Sequence, residues 1–459
     1  DDGVASSHAT HVAGTIMARG FDHDASGMAY EAILHSYDWN NDLSELATAA
    51  TNGLLVSNHS YGAAAGWLWN LYEDDKWVWM GDPSVNETQD YKFGFYDQES
   101  HDWDILANNA TNLLIIKSTG NDRDDDGPQQ GEDYWIYGDE PYLNNTPREA
   151  DGDYDSITGS ALSKNILSVG AIEDLPWGYE NASDILMSSF SSWGPTDDGR
   201  IKPDLVADGV ALYSTDNVSN DSYSVASGTS SSSPSAAGSL LLLQEHYQNL
   251  NSNQSMKAST LKALAIHTTK EAGSDPGPDY IYGWGLLDTK VAAELITYNQ
   301  DITESIQELT LNNNEVITIL FNVSGLSPIK ATIVWNDPAG TPVAPQNNPT
   351  TSMLVNDLDI RLNRSSNNET FYPWVMQSNV EQSATTGDNT TDNIEQVFLN
   401  NPISGEYILT INHKESLLNN SQSFSLILTT SDFSNDNYCN NGTYDACISE
   451  CSDGTNPCH

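Results

Sequence analysis

Basic residues are scarce in this sequence of 459 residues. Lysine and arginine together number 17, against 65 aspartates and glutamates, and the formal net charge is −48 at pH 7. A surface this acidic repels the phosphates of nucleic acids and of anionic membranes, so we expect neither as a partner. The sequence also lacks an apolar run of the ~18–20 residues that a membrane-spanning helix needs. The acidity favours solubility and would attract calcium.

Cysteine is confined to the last 21 residues, as Cys439, Cys447, Cys451 and Cys458. An even number of cysteines in a small tail rich in Asn, Asp and Gly predicts two disulfides and an oxidising compartment. A zinc site is the alternative, but the spacings match no strong zinc pattern. The sequence also lacks an initiator Met and a signal peptide. We therefore expect an extracellular protein whose chain starts inside a longer precursor, with surface attachment through a further C-terminal segment as a variant.

Residues 1–298 alternate between strand patterns and helix patterns, which predicts a mostly parallel sheet covered by helices on both faces. Helices are predicted over 8–18, 43–51, 101–109, 230–247 and 255–268, with a last helix that ends near 296. Strands are predicted over 32–39, 54–60, 113–118 and 166–172. Functional sites of such sheets form at the carboxyl ends of the strands, where Ser60 and Asn121 both lie.

Ser230 belongs to the stretch Gly-Thr-Ser-Ser-Ser-Ser-Pro at 228–234, directly before a small and then leucine-rich run. This pattern predicts a helix that begins near Ser230. Unpaired N–H groups at a helix N-terminus favour developing negative charge, which suits a nucleophile that forms a tetrahedral oxyanion. The alternative is a serine-rich cap that opens a buried helix, since serine is a favoured N-cap.

Two further stretches bear on this choice. His8 opens a predicted helix in the stretch Ser-His-Ala-Thr-His-Val-Ala-Gly-Thr at 7–15, and its alternative role is that of a capping or core histidine. Asn121 follows the apolar strand 113–118 in a Gly-Asn pair, which presents an amide donor at the end of a strand. Its alternative is an ordinary turn, for which Gly-Asn is common.

In the order His, Asn, Ser, the three stretches resemble the motifs of the subtilisin-like serine proteases, the subtilases. The resemblance implies that His8 is the general base, Asn121 the side-chain donor to the oxyanion and Ser230 the nucleophile. Pro234 selects Ser230 from the run of four serines, as in the family motif. The resemblance also implies the subtilisin-like three-layer fold. The chain departs from the family pattern at Ala9, where subtilases usually have glycine.

Further motifs at 190–195, 200–204 and 282–285 extend the resemblance over residues 1–298. Two triplets match substrate-binding segments of the family. Ser60-Tyr61-Gly62 matches the strand that pairs with an extended peptide, and Ser118-Thr119-Gly120 matches the opposite wall of the primary specificity pocket. Main-chain pairing of this kind gives affinity, while pockets give preference. An ordinary strand-to-turn exit is the alternative for the first triplet.

The resemblance also implies a carboxylate that orients His8, and in subtilases this Asp precedes the His. Only seven residues precede His8, and their only acids are Asp1 and Asp2. These two match the acidic loop before the histidine helix better than the early strand that carries the Asp. We therefore expect that the sequence is truncated, that the Asp lies upstream of it, and that this chain alone is nearly inactive.

Residues 299–432 change to short alternating strands separated by Asn, Asp, Gly and Pro, which predicts an antiparallel sandwich or jelly roll. Strands are predicted over 315–321, 331–335, 358–362, 394–399, 407–411 and 423–429. This region resembles the β-sandwich that follows the catalytic domain in some bacterial subtilases. Residues 433–459 form the Cys-rich tail or begin a further module.

Oxygen-rich loops suit calcium, which takes 6–8 hard oxygen ligands. The candidate groups are Asp124, Asp125 and Asp126 with Glu132, then Asp357 with Asp359, and Asp388 with Asp392. Chance clustering among so many acids is the alternative for each group. We expect structural calcium, chiefly because subtilases often bind it, and no cofactor for the chemistry.

These patterns predict a secreted, monomeric serine endopeptidase that cleaves polypeptides through an acyl-enzyme. One alternative is a pseudoprotease that keeps the cleft and binds peptides without cleaving them. Another is a calcium-stabilised adhesin in which the sandwich and the Cys-rich tail are the functional parts, but it leaves the three catalytic motifs unexplained.

Overall fold

The computed structural model describes residues 6–300 and 305–430. The helices are α1 (Ser7–Met17), α2 (Asp42–Thr51), α3 (Gln98–Asn109), α4 (Thr229–Leu250), α5 (Ala258–His267) and α6 (Thr289–Tyr298). The strands of residues 6–300 are β1 (Val56–His59), β2 (Trp67–Trp69), β3 (Trp77–Trp79), β4 (Leu114–Ser118), β5 (Tyr134–Ile136), β6 (Tyr142–Asn144), β7 (Leu167–Ile172), β8 (Leu205–Asp208), β9 (Leu212–Thr215) and β10 (Tyr223–Ala226). The strands of residues 305–430 are β11 (Ile306–Asn312), β12 (Ile317–Val323), β13 (Ile329–Val334), β14 (Leu358–Arg364), β15 (Glu369–Phe371), β16 (Trp374–Val375), β17 (Thr385–Thr386), β18 (Ile394–Leu399), β19 (Gly405–His413) and β20 (Ser421–Thr429).

A parallel sheet in the order β1-β4-β7-β8 forms the centre of the first part. On β4, Leu114 and Ile116 pack into the apolar cluster of α4, α5 and α6, whereas Ile115 packs into the cluster of α2 and α3. The side chains alternate because successive residues of a strand point to opposite faces. Helices therefore cover both faces of the sheet, and the predicted α/β fold is confirmed.

The central element of this fold is α4, which packs against α1, α5, α6 and all four strands of the parallel sheet. Its first turns carry small buried side chains, and Gly238 lies against the end of α1 and the segment that follows this helix. A Cβ on Gly238 would lie 2.7 Å from the Cβ of Met28 and 3.1 Å from the carbonyl oxygen of Ile16. The close approach of these segments therefore requires glycine at this position.

The strand predicted over 32–39 is absent from the structure, although the helices and the other strands of residues 1–298 are confirmed with boundary shifts of a few residues. Residues 33–38 are irregular, and the side chains of Ile33 and Trp39 are 83% and 70% exposed. The apolar alternation is that of a strand, but a strand forms only beside a partner. Among the described residues, β1 is the outermost strand of the sheet on its side, and nothing pairs with 32–39.

A second sheet, which the sequence did not predict, joins two connecting segments. Residues 63–97, the first connecting segment, contribute β2 and β3, and residues 122–155, the second connecting segment, contribute β5 and β6. The strand order is β2-β3-β5-β6, and the parallel pairing of β3 with β5 links the two segments. Trp67, Trp79 and Tyr134 form its core, and the guanidinium of Arg148 lies 3.6 Å from the ring centre of Trp79.

Residues 305–430 form two four-stranded antiparallel sheets, in the orders β11-β20-β13-β18 and β12-β19-β14-β15, and β16 pairs with β17 in a separate two-stranded sheet. Their apolar cluster draws side chains from both sheets, including Trp335, Tyr407 and Phe424. The predicted β-sandwich is thus confirmed, and the six predicted strands correspond to β12, β13, β14, β18, β19 and β20. Four strands of this part, β11, β15, β16 and β17, were not predicted.

The four cysteines, Asp1 and Asp2 lie outside the described residues, so the two disulfides and the zinc alternative stay predictions. Within residues 6–300 and 305–430, no helix is both long enough and apolar enough to cross a membrane.

The α/β part and the sandwich share a buried interface. Lys164 is 1% exposed, and its Nζ donates to the carbonyl oxygens of Pro338 and Met353 at 2.6 Å each. The same Nζ pairs with the carboxylate of Asp337, which is also completely buried. One apolar cluster continues across the interface, because it contains residues of the sandwich, namely Ile306, Val334, Ile394 and Ile427.

We expect Lys164→Met to destabilise the protein strongly. The substitution leaves the Asp337 carboxylate buried with only the backbone N–H groups of Val355 and Asn356 as donors, and such a broken pair costs about 3–5 kcal/mol. Lys76→Met is the control, because Lys76 and Asp74 form an ion pair that is about one third exposed, and solvent-exposed pairs contribute little to stability. Urea unfolding measures both variants. Equal unfolding midpoints for the two variants would show that the Lys164 pair does not hold the interface.

Candidate active site

Ser230 is the second residue of α4, and Gly228 caps this helix with φ of +155°. A Cβ on Gly228 would lie 3.1 Å from Oγ of Ser230 and 3.5 Å from Nδ2 of Asn121. The hydroxyl and the amide nitrogen therefore approach the same small space, and a side chain at position 228 would fill it. The structure thus brings two of the three predicted catalytic residues together.

The amide of Asn121 is oriented by Thr229. Its Oδ1 accepts hydrogen bonds from the backbone N–H of Thr229 at 2.8 Å and from the Thr229 hydroxyl at 2.9 Å. The Thr229 hydroxyl in turn accepts from the N–H of Gly120 at 3.2 Å. Because Oδ1 must face these donors, the Nδ2 end of the amide faces the Ser230 side of the helix N-terminus. Thr229 was not singled out in the sequence, although it precedes the predicted nucleophile directly.

The carboxyl end of β1 also holds the start of α4. The hydroxyl of Ser60 donates to the carbonyl oxygen of Ser230 at 3.0 Å, and the hydroxyl of Ser233 donates to Oδ1 of Asn58 at 2.7 Å. The Asn58 side chain also donates to the Ser60 hydroxyl at 3.0 Å. The Ser60 side chain therefore positions the nucleophile-bearing turn, a role that the resemblance did not imply.

His8 is the second residue of α1 and is exposed. Ser6 caps this helix, and its side chain accepts a hydrogen bond from the N–H of Ala9 at 3.3 Å. Partial burial and the neighbouring His11 lower the pKa of His8 below its usual value. Among the described residues, His8 forms no hydrogen bond with a carboxylate or with Ser230; its helix is packed against α4.

The two predicted substrate-binding triplets lie side by side. Ser60-Tyr61-Gly62 follows β1 and Ser118-Thr119-Gly120 ends β4, and these strands are parallel neighbours with His59 opposite Lys117. Their carboxyl ends therefore meet at one edge of the sheet, beside the start of α4. Each triplet leads directly into one of the two connecting segments of the second sheet.

The side chain of Tyr61 points away from this edge into the protein. Its hydroxyl donates to Asp42 at 3.0 Å, and Nζ of Lys117 lies 4.6 Å from its ring centre. Lys117 is 1% exposed, and burial lowers its pKa to about 8. These side-chain contacts fix the position of Tyr61, and the backbone of Ser60-Tyr61-Gly62 stays available to pair with a ligand.

Acidic side chains surround the second substrate-binding triplet, Ser118-Thr119-Gly120. A Cβ on Gly120 would lie 2.6 Å from Oδ2 of Asp122, so this carboxylate folds back against the third residue of the triplet. Burial raises the pKa of Asp122 to about 6. Burial and the charges of Asp122 and Asp124 raise the pKa of Asp125 to about 7. Asp122 was missed in the sequence, although it follows Asn121 directly.

Three of the four predicted calcium ligands of the sandwich pair with basic side chains of the protein. Asp357, Asp359 and Asp388 converge on Nζ of Lys414 at 3.2, 2.9 and 3.3 Å. Arg361 pairs with Asp359 at 2.8 Å and also with Asp388. These two cations offset most of the charge of the three carboxylates, and calcium binding by this group stays a prediction.

Asp392 lies apart from that group and accepts a hydrogen bond from the N–H of Ile201 at 2.8 Å, across the interface. In the second connecting segment, Asp124 accepts from the hydroxyl of Ser189 at 2.9 Å, and the Glu132 side chain accepts from the N–H of Gln129 at 3.2 Å. Asp126 adds charge beside Asp125 and helps to raise its pKa. Over the part of the chain that the structure describes, no group of three or more His, Cys, Asp or Glu side chains is arranged to hold a metal ion.

Comparison with known proteins bears directly on this site. The Peptidase_S8 model, which describes the subtilase family, matches residues 2–285. The chain is 26% identical over 288 residues to the serine protease/ABC transporter B family protein tagA of Dictyostelium discoideum, covering 54% of this chain and 16% of that protein. It is 32% identical over 161 residues to the C5a peptidase of Streptococcus pyogenes serotype M18, covering 34% of this chain and 14% of that protein.

The chain therefore spans only about a sixth of the length of these relatives. Among solved structures, the protease domain of PatA is similar with a TM-score of 0.41 and 18% identity, covering 65% of this chain and 83% of that one. The family match spans more than half of the sequence and includes His8, Asn121 and Ser230. The chain belongs to the subtilase family of serine peptidases.

Proposed function

We propose that this chain belongs to a secreted endopeptidase in which Ser230 is the nucleophile, His8 the general base and Asn121 an oxyanion donor. The observation that carries the proposal is a backbone N–H group at the N-terminus of α4 that has no hydrogen-bond partner among the described residues. The N–H groups of Thr229 and Ser231 are bonded within the protein, whereas that of Ser230 is bonded to no described residue. This N–H and Nδ2 of Asn121 are thus available beside the Ser230 hydroxyl.

The proposed reaction uses only protein groups. A polypeptide binds in extended form along Ser60–Gly62 and Ser118–Gly120, with main-chain hydrogen bonds to both edges. Ser230 Oγ attacks the peptide carbonyl while His8 accepts its proton, and the oxyanion is held by the Ser230 N–H and Asn121 Nδ2. His8 then gives the proton to the leaving amine. Water, activated by His8, hydrolyses the acyl-enzyme and restores the hydroxyl.

We further propose that a carboxylate from an upstream segment orients His8. Two observations support it: no described carboxylate is hydrogen-bonded to His8, and the sheet ends at β1 while the apolar side chains of 32–39 lie exposed beside no strand. An additional strand against β1 would bring its carboxyl end to the same edge as Ser60. The proposal that the protein is secreted rests only on the four cysteines of the tail. We also propose that the protein is a monomer.

The upstream carboxylate is tested with a fluorophosphonate probe, which reacts with an activated serine. In subtilisin, loss of the triad Asp alone lowers kcat by about 3 × 10⁴. We therefore expect this chain to be labelled some 10⁴-fold more slowly than a chain extended upstream by its native precursor residues. Ser230→Ala in each form is the control for labelling elsewhere. If both forms are folded and neither is labelled, the cleft belongs to a pseudoprotease that only binds peptides.

The pH dependence of labelling gives a second test. The reactive form of a general base is neutral, and the lowered pKa of His8 in this chain keeps it neutral to below pH 6.5. A carboxylate beside the imidazole favours its cation and raises the pKa. The acid limb of the rate profile should therefore lie at higher pH in the extended chain. Coincident limbs for the two chains would contradict a carboxylate at His8.

Thr229→Val tests the orientation of the oxyanion donor. In the chain extended upstream, the substitution keeps the buried shape but removes the hydroxyl that donates to Asn121, so kcat should fall about 2–10-fold with little change in KM. Asn121→Ala should lower kcat by about 10²–10³, and adding Thr229→Val to it should cost nothing more. Thr48→Val, at an exposed helical hydroxyl that donates to Ser44, is the control. Additive losses in the double variant would mean that Thr229 acts independently of Asn121.

A further inference from the structure

Lys117 is a buried cation that the proposed reaction does not use. The residue is 1% exposed and lies on β4, directly before the second substrate-binding triplet. Within the described residues, its Nζ forms no hydrogen bond. A buried ammonium is normally paired, because the loss of its hydration is expensive. Contacts of another kind must therefore replace that hydration.

Two aromatic rings lie against this ammonium in place of water. Nζ of Lys117 is 4.6 Å from the ring centre of Tyr61 and 4.8 Å from that of Trp103. Both distances are within the range of about 6 Å over which a ring attracts a cation, and the attraction is stronger where water is excluded. Trp103 lies in α3 and is 1% exposed, whereas Tyr61 is the middle residue of the first triplet. The cation therefore joins β4 to the first triplet.

Two carboxylates favour the charge on Lys117 through space, but each is hydrogen-bonded elsewhere. Asp42 accepts from the hydroxyl of Tyr61 at 3.0 Å, and Glu99 accepts from the hydroxyl of Ser160 at 2.6 Å. Burial lowers the pKa of Lys117 to about 8, although both carboxylates oppose this shift. The ammonium is thus charged below about pH 8 and neutral above it.

His59 lies beside the same two rings and stays neutral. The hydroxyl of Tyr61 gives its proton to Asp42, so Nδ1 of His59, at 2.8 Å, donates to the hydroxyl oxygen. Nε2 of His59 then accepts from the hydroxyl of Ser57 at 3.1 Å. Burial and the charge of Lys117 hold the pKa of His59 well below its usual value, and burial raises that of Tyr61. Lys117 is thus the group whose charge changes near pH 8.

We infer that Lys117 is a positioning residue, whose ammonium holds Tyr61, and with it the backbone of Ser60–Gly62, at a fixed distance from β4. The inference rests on the proposed function, because it takes Ser60–Gly62 and Ser118–Gly120 as the two edges that pair with the peptide. Lys117 belongs to the strand that leads into the second edge, and its side chain contacts the first. Its charge therefore sets the spacing of the two edges, and a peptide binds most tightly while Lys117 is protonated.

Lys117→Met tests this role in the chain extended upstream, with cleavage of fluorescein-labelled casein as the measurement. Methionine keeps an unbranched buried side chain but carries no charge, so KM should rise about 3–30-fold while kcat stays unchanged. Lys330→Met is the matched control. Lys330 also lies beside an aromatic ring, 5.6 Å from the ring centre of Phe398, and burial lowers its pKa to about 8, but it belongs to β13 of the sandwich. Equal KM values for the two variants would overturn the inference.

The unaltered extended chain gives a second test that needs no substitution. Because Lys117 loses its charge above about pH 8, KM should rise as the pH increases through this value. Lys330→Met should keep the rise, and Lys117→Met should lack it because its KM is already high. A rise of the same size in Lys117→Met would assign the effect to another group and contradict the role of Lys117.

Hydrogen exchange separates failure of this inference from failure of the proposed function, because it needs no substrate. In the 459-residue chain, backbone exchange over residues 56–62 should be faster in Lys117→Met than in the unaltered chain and in Lys330→Met. If exchange differs in this way but the extended chain does not cleave casein, Lys117 positions the first triplet and the proposed peptidase function is the part that fails. Equal exchange in all three chains would overturn the inference whether or not casein is cleaved.

Discussion

The first turn of α4 is held on two sides by polar groups at the carboxyl ends of neighbouring parallel strands, and the rest of the site depends on this constraint. Asn121, after β4, accepts from Thr229, the first residue of the helix. Ser60, after β1, donates to the carbonyl oxygen of Ser230, and Asn58, in β1, accepts from the hydroxyl of Ser233. The helix N-terminus is thereby fixed against the sheet edge before any ligand arrives. Donors held in this way need no reorganisation when charge develops, which is the physical basis of oxyanion stabilisation.

The β-sandwich covers α5, the helix that lies behind α4. Behind α4 lies α5, a helix that is buried along its whole length. A helix that is buried all round needs cover on every side, and strands β13 and β20 of the sandwich supply it. Polar residues of this interface are also satisfied across it, since His267 meets Thr332 at 2.8 Å and Thr429 at 3.0 Å. The second part thus completes the core of the first.

The sequence predicted what local patterns encode, and it missed what long-range pairing creates. Apolar runs and small-residue patterns located β4 and α4, and the motif order located Asn121 and Ser230. The second sheet escaped because β3 and β5 are more than fifty residues apart and each is only three residues long. The strand predicted over 32–39 failed for the converse reason, since its pattern is right but no described strand lies beside it. The sequence also could not show that Lys414 pairs with Asp357, Asp359 and Asp388, because these contacts join residues far apart in the chain.

Surface loops on a common scaffold usually vary in length independently of one another, because each loop is anchored only at its two ends. The parallel pairing of β3 with β5 removes that freedom here. One connecting segment leaves each wall of the cleft, and neither has a complete sheet without the other. For anyone who grafts or shortens these segments, the two are a single exchangeable module, and the first segment transplanted alone would carry an unpaired edge strand with Trp77 and Trp79.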